Sequence, residues 1–302
     1  MKTPERVPSI TALHLYLKLK RPSNPLISVF DFNEVSVDPK TLLTAVTTDF
    51  YVVAIKSDCA GKFKYGQHYY DFDDGIMYFI APNQVVQFED ILLSEVKGSV
   101  LVVHPDFLQG YPLASAIKEY GYFSYAANEA LHLSDREEQS VTDIIDNIRR
   151  ETENNMDVFT QDLLISNIDL LLKYCDRFYN RQFLTRKKVN HDLLTQLENI
   201  LDDYFKSERL TIDGIPTVQF IASEMNISPN YLSDMLRVHT GQTTQQHIQN
   251  RLIEKAKELL STTGMSVSEI AYHLGFEHPQ SFHRLFKNRT AISPLEFRQT
   301  FN

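Results

Sequence analysis

The sequence predicts a multidomain α+β protein, with a β-barrel or jelly roll at the N-terminus and an all-α domain at the C-terminus. Three observations predict this fold class. Short runs rich in β-branched and aromatic residues fill the region from about 27 to 103, and the hydrophobic spacing becomes helical from residue 134. A pattern of helix, turn and helix then occurs twice, about fifty residues apart. The predicted boundaries are 1–133 for the β-domain, 134–180 for a helical segment, 181–190 for a linker and 191–302 for the helical domain.

The β-domain is predicted from apolar runs at 50–55, 75–80, 85–88 and 99–103, which are separated by turn residues. Many short strands with regular turns indicate a small barrel or jelly roll. The region is also rich in tyrosine and phenylalanine. We expect a small-molecule effector, if the protein has one, to bind in an apolar pocket near Tyr69, Tyr70, Tyr78 and Phe88. The alternative is that these aromatic side chains only fill the barrel.

Metal binding and catalysis are not predicted. His68 and His104 are far apart in the sequence, whereas a zinc or iron site needs three or more clustered ligands. No nucleophile stands near a base, so we expect no catalytic residues, no cofactor and no enzyme activity. Cys59 and Cys175 lie in separate apolar segments, which favours buried free thiols over a disulfide.

The helical segment begins at Ser134, which forms a capping box with Glu137. A longer helix is predicted from about 157 to 179 with an unusually broad apolar stripe. The stripe consists of Phe159, Leu163, Leu164, Ile168, Leu171, Leu172, Cys175 and Phe178. It can cover the β-domain, pair with a second subunit, or do both. If it pairs, Leu164→Glu with Leu171→Glu is expected to give a folded monomer. The run at 181–190 is predicted as an exposed basic linker.

The C-terminal domain is predicted from the repeated pattern at about 217–239 and 266–289. In the second copy, Ser266 and Glu269 form a capping box, Gly275 ends the first helix and Pro279 suits the first turn of the next. The first copy has a serine cap followed by proline at Ser228. A short helix, a tight turn and a second helix form the helix-turn-helix, whose second helix enters the major groove of DNA. Two packed helices of any helical domain are the alternative.

Particular segments of the C-terminal region resemble the AraC/XylS family of transcription regulators. They include ISPNYL at 227–232, KAKELL at 255–260, SEIA at 268–271, LGF at 274–276 and ISPLEFR at 292–298. The resemblance runs from about residue 190 to the end of the sequence. Such proteins usually have glycine before the last Ile-Ser-Pro, but here the residue is Ala291, which we expect to strain that turn slightly.

This resemblance implies a DNA-binding transcription regulator, with activation as the expected direction, although the residues themselves leave the sign of regulation open. It implies a cupin-like sensor domain, a homodimer through about 157–179, double-stranded DNA as a partner and RNA polymerase as a candidate partner. Two alternatives remain: a cupin-type enzyme fused to a DNA-binding domain, and a constitutive DNA-binding dimer that holds no ligand. The effector and the operator cannot be read from the residues.

The base-reading residues follow from the pattern and the resemblance together. In the second module the core takes Phe282, Leu285 and Phe286, so the other side chains point elsewhere. The resemblance places those other positions, and their counterparts in the first module, toward the groove. The predicted DNA-binding residues are Asn230, Ser233, Asp234, Arg237, Arg251, Pro279, Gln280, Ser281, Arg284 and Lys287. Arg251 and Lys287 are expected to contact phosphates, which position a protein without reading sequence.

The net charge of −9 does not favour a nucleic-acid partner by itself, but phosphate binding depends on where the cations lie. Arg284, Lys287 and Arg289 follow one another without an intervening acid. The sequence contains no apolar run long enough to cross a bilayer, and its first residues are polar. We therefore expect a cytoplasmic protein that does not enter the membrane.

Overall fold

The chain forms two compact units, Met1–Gln182 and Phe183–Asn302, in a computed structural model. The structure describes residues 4–37, 45–57, 62–65, 68–71, 75–86, 97–126, 129–154, 157–185 and 187–301, and of 62–65, 68–71 and 187–190 it describes the backbone alone. The first unit contains sheets with helices, and the second contains helices. The predicted α+β architecture is therefore confirmed at the level of secondary-structure content.

Among the described residues, the strands of the first unit form three sheets, ordered β1-β3-β8, β10-β7-β4-β9-β2 and β5-β6. The strands are β1 (Glu5–Val7), β2 (Ile27–Asp31), β3 (Val46–Thr48), β4 (Tyr51–Ser57), β5 (Lys62–Tyr65), β6 (His68–Asp71), β7 (Ile76–Ile80), β8 (Val85–Val86), β9 (Lys97–Val103) and β10 (Leu131–His132). The five-stranded sheet is antiparallel throughout. All four predicted apolar runs contribute to strands, although 87–88 lie outside the described residues. Closure of these sheets into one cupin-like barrel stays a prediction.

The helices of the described residues are named in chain order. They are α1 (Ile10–Tyr16), α2 (Leu113–Ala116), α3 (Asp135–Glu153), α4 (Thr160–Thr185), α5 (Lys187–Lys206), α6 (Arg209–Ile212), α7 (Val218–Glu224), α8 (Pro229–Thr240), α9 (Thr244–Thr262), α10 (Val267–His273), α11 (Pro279–Thr290) and α12 (Pro294–Gln299). Among the helices of the described residues, none has the length and apolar character that crossing a membrane requires.

The central sheet of the first unit is covered on both faces. Alternate residues of β4 point in opposite directions, so Ala54 faces one core while Tyr51 and Val53 face the other. The core on the Ala54 side includes Phe30, Val100 and Val102 of the strands, Phe50 just before β4, and Ile10 of α1. Ser9 begins α1 by accepting a hydrogen bond from the backbone N–H of Ala12. We did not predict α1, because seven residues are too few for a clear period.

The opposite face of the sheet carries an aromatic cluster. The ring of Phe79 lies 4.5 Å from that of Tyr122, and Tyr122 lies 5.4 Å from Tyr179 of α4. Tyr122 donates its hydroxyl to the carbonyl oxygen of Leu172, and burial raises the pKa of this phenol well above its ordinary value. The aromatic side chains of this face therefore form packed core between the sheet and α4.

The broad apolar stripe of α4 divides into a buried and an exposed part. Leu164 and Leu171 are only 1% and 0% exposed, because they belong to the core of the first unit. The expectation that their replacement by glutamate gives a folded monomer is therefore wrong. Phe159 and Leu163 were expected to be buried but are 65% and 49% exposed, and Leu170 is 44% exposed. Leu163 and Leu170, one heptad apart, share a side of the helix.

The exposed basic linker predicted at 181–190 is instead mostly helical, because α4 continues to Thr185 and α5 begins at Lys187. Arg181 is not simply solvated: it forms an ion pair with Glu137 of α3 at 2.7 Å. Gln182 is buried and donates to the carbonyl oxygen of Ala130. The run of cations in the sequence gives no indication that Arg181 and Gln182 contact the rest of the first unit. The boundary between the two units, after Gln182, lies earlier than the predicted start of the helical domain at 191.

Candidate nucleic-acid interface

The first module of the second unit consists of α7 and α8. Thr217 caps α7 by accepting a hydrogen bond from the N–H of Phe220, and Asn226 makes the turn with a φ of +55°. Ser228 then caps α8, with Pro229 at the first helical position, where a missing N–H costs nothing. This confirms the predicted helix, turn and helix, and α8 continues to Thr240.

The second module consists of α10 and α11. The Ser266–Glu269 capping box is present, and the hydrogen bond from the Ser266 backbone lowers the pKa of Glu269. Gly275 has a φ of +80°, and a Cβ there would lie 2.6 Å from the carbonyl oxygen of Leu210. The turn therefore needs glycine for its conformation and for the close approach of α6. Ala291 ends α11 with a φ of +66°, in the left-handed region.

The buried face of each second helix decides which side chains remain available. We call α8 the first reading helix and α11 the second reading helix. In α8 the buried apolar residues include Leu232, Met235 and Leu236. In α11 they are Phe282 and Phe286, whose rings pack 5.8 Å apart in an edge-to-face arrangement, while Leu285 is half-buried. The core therefore fixes the rotation of both helices, as the sequence predicts.

The second reading helix presents an exposed polar row. Gln280, Ser281, Arg284 and Lys287 are all exposed, and these four side chains make no hydrogen bond or ion pair within the described part of the chain. Pro279 is half-buried in the first turn and supports the start of the helix. The row combines an amide, a hydroxyl and two cations, which are the groups that proteins use on base edges and phosphates.

The first reading helix presents its polar residues differently. Asn230 is exposed at its start. Ser233 is half-buried and its hydroxyl lies 3.0 Å from that of Thr244, a fully buried residue of α9. Asp234 and Arg237 form an ion pair of 2.9 Å across one turn. Two of the four predicted residues thus bind each other, and a third is bonded to the connecting helix.

The Arg251 side chain, a predicted phosphate contact, lies among carboxylates of its own unit. It is paired with Asp202 of α5, and its guanidinium lies 3.5 Å from Glu254 and 3.9 Å from Glu198. The sequence could not show this network because the crossing of α5 and α9 is a tertiary feature. To reach a phosphate, Arg251 must exchange at least one of these partners.

The connecting helix α9 sets the separation of the two modules. Its 19 residues form one continuous helix, which extends about 28 Å at about 1.5 Å per residue. Successive major-groove faces on one side of a DNA duplex are about 34 Å apart. Because each module adds its own width, the spacing suits two reading helices in neighbouring grooves.

Of the four predicted effector residues, only Tyr78 has a side chain that the structure describes. Tyr78 is half-buried on β7, and its ring centroid lies 5.2 Å from the amine of Lys56, which is 4% exposed. Tyr69 and Tyr70 lie in β6, where only the backbone is described, and Phe88 lies outside the described residues. The sequence does not single out Lys56, because one lysine within a strand gives no sign that it is buried.

Among the described residues, the histidines and the cysteine considered as metal ligands or thiols lie within strands, turns or the core. His104 accepts a hydrogen bond from the backbone N–H of Asp106 at the start of a short helical turn. Cys175 is a buried free thiol, as predicted, and burial raises its pKa; Cys59 lies outside the described residues. His68 lies in β6. Within the described residues, no three His, Cys, Asp or Glu side chains form a group suited to a metal ion.

Comparison with known proteins adds to this geometry. A family model described as a helix-turn-helix domain matches residues 221–300. The HTH-type transcriptional activator RhaS of Salmonella paratyphi B is 30% identical over 136 residues, which are 45% of this chain and 46% of that protein. This match therefore spans about half the length of that relative. RhaS of Salmonella dublin is 26% identical over 263 residues, which are 83% of this chain and 86% of that protein.

Solved structures with similarity include the C-terminal domain of the response regulator yesN from Fusobacterium nucleatum, at 29% identity over 34% of this chain and 93% of that domain, with a TM-score of 0.30. The DNA-binding domain of AdpA, solved with a target DNA, is 22% identical over 36% of this chain and 91% of its own, with a TM-score of 0.31. ToxT from Vibrio cholerae is 13% identical over 90% of this chain and 94% of its own, with a TM-score of 0.30.

Each module has two helices joined by a tight turn, with polar residues on the outer face of its second helix, and this arrangement defines a helix-turn-helix protein. The match narrows this class for residues 221–300, which form an AraC-type helix-turn-helix domain, and the chain is similar to the transcriptional activator RhaS.

Proposed function

We propose that this protein binds specific DNA sequences through its two helix-turn-helix modules and thereby regulates transcription. The observation that carries the proposal is the exposed polar row of the second reading helix, set against the buried Phe282 and Phe286. The similarity to RhaS supports the proposal independently. Because RhaS is described as a transcriptional activator, we propose activation as the direction of regulation, with RNA polymerase as a candidate partner.

The second reading helix carries the larger share of base recognition in this proposal. Gln280 can form two hydrogen bonds with adenine, and Arg284 can form two with guanine. Lys287, one turn further on, contacts a phosphate and sets the position of the helix without reading bases. All three side chains are exposed and make no bond that must first be broken within the described residues.

The first reading helix contributes a weaker and more selective reading. Asn230 is the exposed candidate for adenine at its start. Asp234 repels phosphates, but it can accept a hydrogen bond from the amino group of cytosine. Because Asp234 already binds Arg237, DNA must compete with this pair before either side chain contacts a base or a phosphate. Ser233 is the weakest candidate, since its hydroxyl is bonded to Thr244.

The first unit supplies regulation and assembly in this proposal. Phe159, just before α4, and Leu163 and Leu170 within it leave apolar surface exposed, and we propose that a second copy of the chain covers this surface in a homodimer. A small-molecule effector would act at the β-domain, near Tyr78 among the described residues. A transcription regulator of this kind works in the cytoplasm.

A selection from a random pool of DNA duplexes tests the proposed function directly. The wild-type protein is expected to enrich a site with two conserved blocks, about 10 base pairs apart, one for each module. A variant with Gln280→Ala and Arg284→Ala keeps its core, since both residues are exposed. It should lose enrichment of only one block, which identifies the block that α11 reads. Equal binding of all duplexes by the wild-type protein would contradict the proposal.

A further inference from the structure

The first reading helix is supported by a residue that lies outside the helix-turn-helix pattern. Phe183 belongs to the last turn of α4 and to the second unit, and it is 3% exposed. Its ring lies 5.2 Å from that of Tyr231 in α8, at an interplanar angle of 69°. This edge-to-face packing is a preferred geometry for two aromatic rings and is directional. Phe183 therefore fixes the N-terminal part of the first reading helix.

A second contact joins the same residue to the other end of α8. The Nε2 atom of His239 lies 3.0 Å from the carbonyl oxygen of Phe183. Because a carbonyl can only accept, Nε2 must carry the proton and donate it. Tyr231 and His239 are eight residues apart in α8, or about 12 Å along the helix at about 1.5 Å per residue. Two attachments at this separation determine the direction of the helix as well as its position.

The second reading helix is held in another way. Phe282 packs on Phe276 at 5.5 Å, and Phe286 packs on Phe297 of α12 at 5.6 Å. These aromatic contacts all come from within residues 276–297. Phe183 thus supports one reading helix and leaves the aromatic support of the other unchanged.

We infer that Phe183 and His239 are positioning residues for base reading by α8, and that the last turn of α4 controls this reading independently of α11. The inference rests on the proposed function. Tyr231 follows Asn230 and lies one turn before Asp234, so a tilt of α8 about this contact moves both candidate base contacts together. Recognition requires side chains held within about 0.5 Å of their productive geometry. A small displacement of Phe183 is therefore enough to weaken discrimination in the block that α8 reads.

This arrangement makes one half of the DNA site adjustable. Any event that displaces the last turn of α4 moves the support of α8, whereas α11 keeps its own. The expected regulatory outcome is a graded loss of selectivity at one block, with anchoring maintained at the other.

The test compares Phe183→Leu with a matched substitution in the other module, Phe286→Leu, in the full chain. Each variant is titrated with duplexes that carry single base changes in either selected block. For Phe183→Leu, the penalty per base change in the α8 block should fall from about tenfold to about twofold, with the α11 block unchanged. Phe286→Leu should show the reverse. Equal loss in both blocks, or no loss in the α8 block, overturns the inference.

A second pair of variants tests the hydrogen bond and covers the case in which Phe183→Leu does not fold. His239→Leu removes the donor, whereas His239→Gln keeps an N–H that can reach the same carbonyl. We expect His239→Leu to lower discrimination in the α8 block about threefold or more and His239→Gln to restore most of it, at unchanged melting temperature. Identical behaviour of the two variants overturns the inference. A wild-type protein without any base discrimination would instead refute the proposed function.

Discussion

Ala291 shows how a single residue sets the stability of a reading module. It ends the second reading helix at a φ of +66°, where a side chain with a Cβ is strained. At the corresponding position after the first reading helix, Gly241 has a φ of +72°. The departure from glycine noted in the sequence therefore falls on a position whose backbone conformation favours glycine.

We predict that Ala291→Gly raises the free energy of unfolding by about 0.5–1 kcal/mol, because relief of the left-handed strain exceeds the added entropy of the unfolded chain. Gly241→Ala, with nothing within 4 Å of the new Cβ, should lower it by about 1 kcal/mol through backbone strain alone. Urea denaturation of both variants measures these changes. A stability loss for Ala291→Gly would show that the turn is not strained.

His247 gives the second unit a dependence on pH. Burial lowers its pKa from 6.5, although Glu198 acts in the opposite direction, and its ring is bonded to the hydroxyl of Thr240. Because the pKa is lowered in the folded state, the unfolded chain binds the proton at a higher pH than the folded protein does as the pH falls. The associated stability is therefore present above about pH 6.5 and is lost as the pH falls through the lowered folded pKa.

We predict that the stability difference between the wild-type protein and His247→Gln narrows or reverses as the pH falls from 7.5 to 5. The substitution keeps a polar side chain but removes the titration. Urea denaturation at several pH values measures the difference at each step. A difference that stays constant over this range would show that His247 titrates equally in both states.

At the residue scale, local chemistry was predictable and tertiary partners were not. Ser134 and Ser266 were each paired correctly with a glutamate three residues later, because a capping box is contained in one turn of chain. The partners of Ser233 and Arg251 could not be predicted in this way. They lie on other helices and depend on how those helices cross.

The element scale is best illustrated by α4. The sequence showed an apolar stripe too broad for one packing surface, but it could not show which half faces the core. Leu164 and Leu171 prove to be buried, while Leu163 and Leu170 are exposed. Adjacent positions on a helix differ by about 100°, so only the packing of α4 on the sheet decides between them.

We predict that Leu163→Glu with Leu170→Glu gives a folded monomer, since both side chains are about half exposed and their charges can remain in water. The wild-type protein should sediment as a dimer at the same concentration. Leu164→Glu with Leu171→Glu is the matched control and should unfold the first unit, because it buries two charges without partners. A dimer that persists in the first variant would exclude this face of α4 as the interface.

Helix boundaries are predicted most accurately where the local capping and periodicity signals in the sequence are strong. The connecting helix extends over Thr244–Thr262, where a polar cap precedes a long periodic run. The helical domain is predicted from 191, but its first complete helix begins earlier, at Lys187, and α1 is not predicted at all. Both errors occur where charged or short segments hide the period, and where packing rather than propensity decides the structure.

At the scale of the whole molecule, repetition in the sequence predicted the second unit better than strand pattern predicted the first. The repeated turns at Asn226 and Gly275 define two modules, and one helix joins them. In the first unit the runs gave the strands, but not the order β10-β7-β4-β9-β2. Strand order depends on pairings between distant residues, which the alternation within one strand does not contain.

Sequence-specific binding by α11 depends most on base reading by Arg284 and phosphate contact by Lys287. We predict that Arg284→Ala costs about 1–3 kcal/mol of binding free energy and relaxes preference at one base pair. Lys287→Ala should weaken binding to all sequences alike and reduce the slope of affinity against salt concentration by about one.

The decisive measurement is a set of binding titrations in which both variants meet every single-base substitution of the selected site at two salt concentrations. The predicted result is a loss of discrimination at one base pair for Arg284→Ala, with none for Lys287→Ala. If Arg284→Ala instead lowers affinity equally for every substituted site, Arg284 contacts the DNA backbone, and the proposed reading of sequence by α11 is wrong in its central assignment.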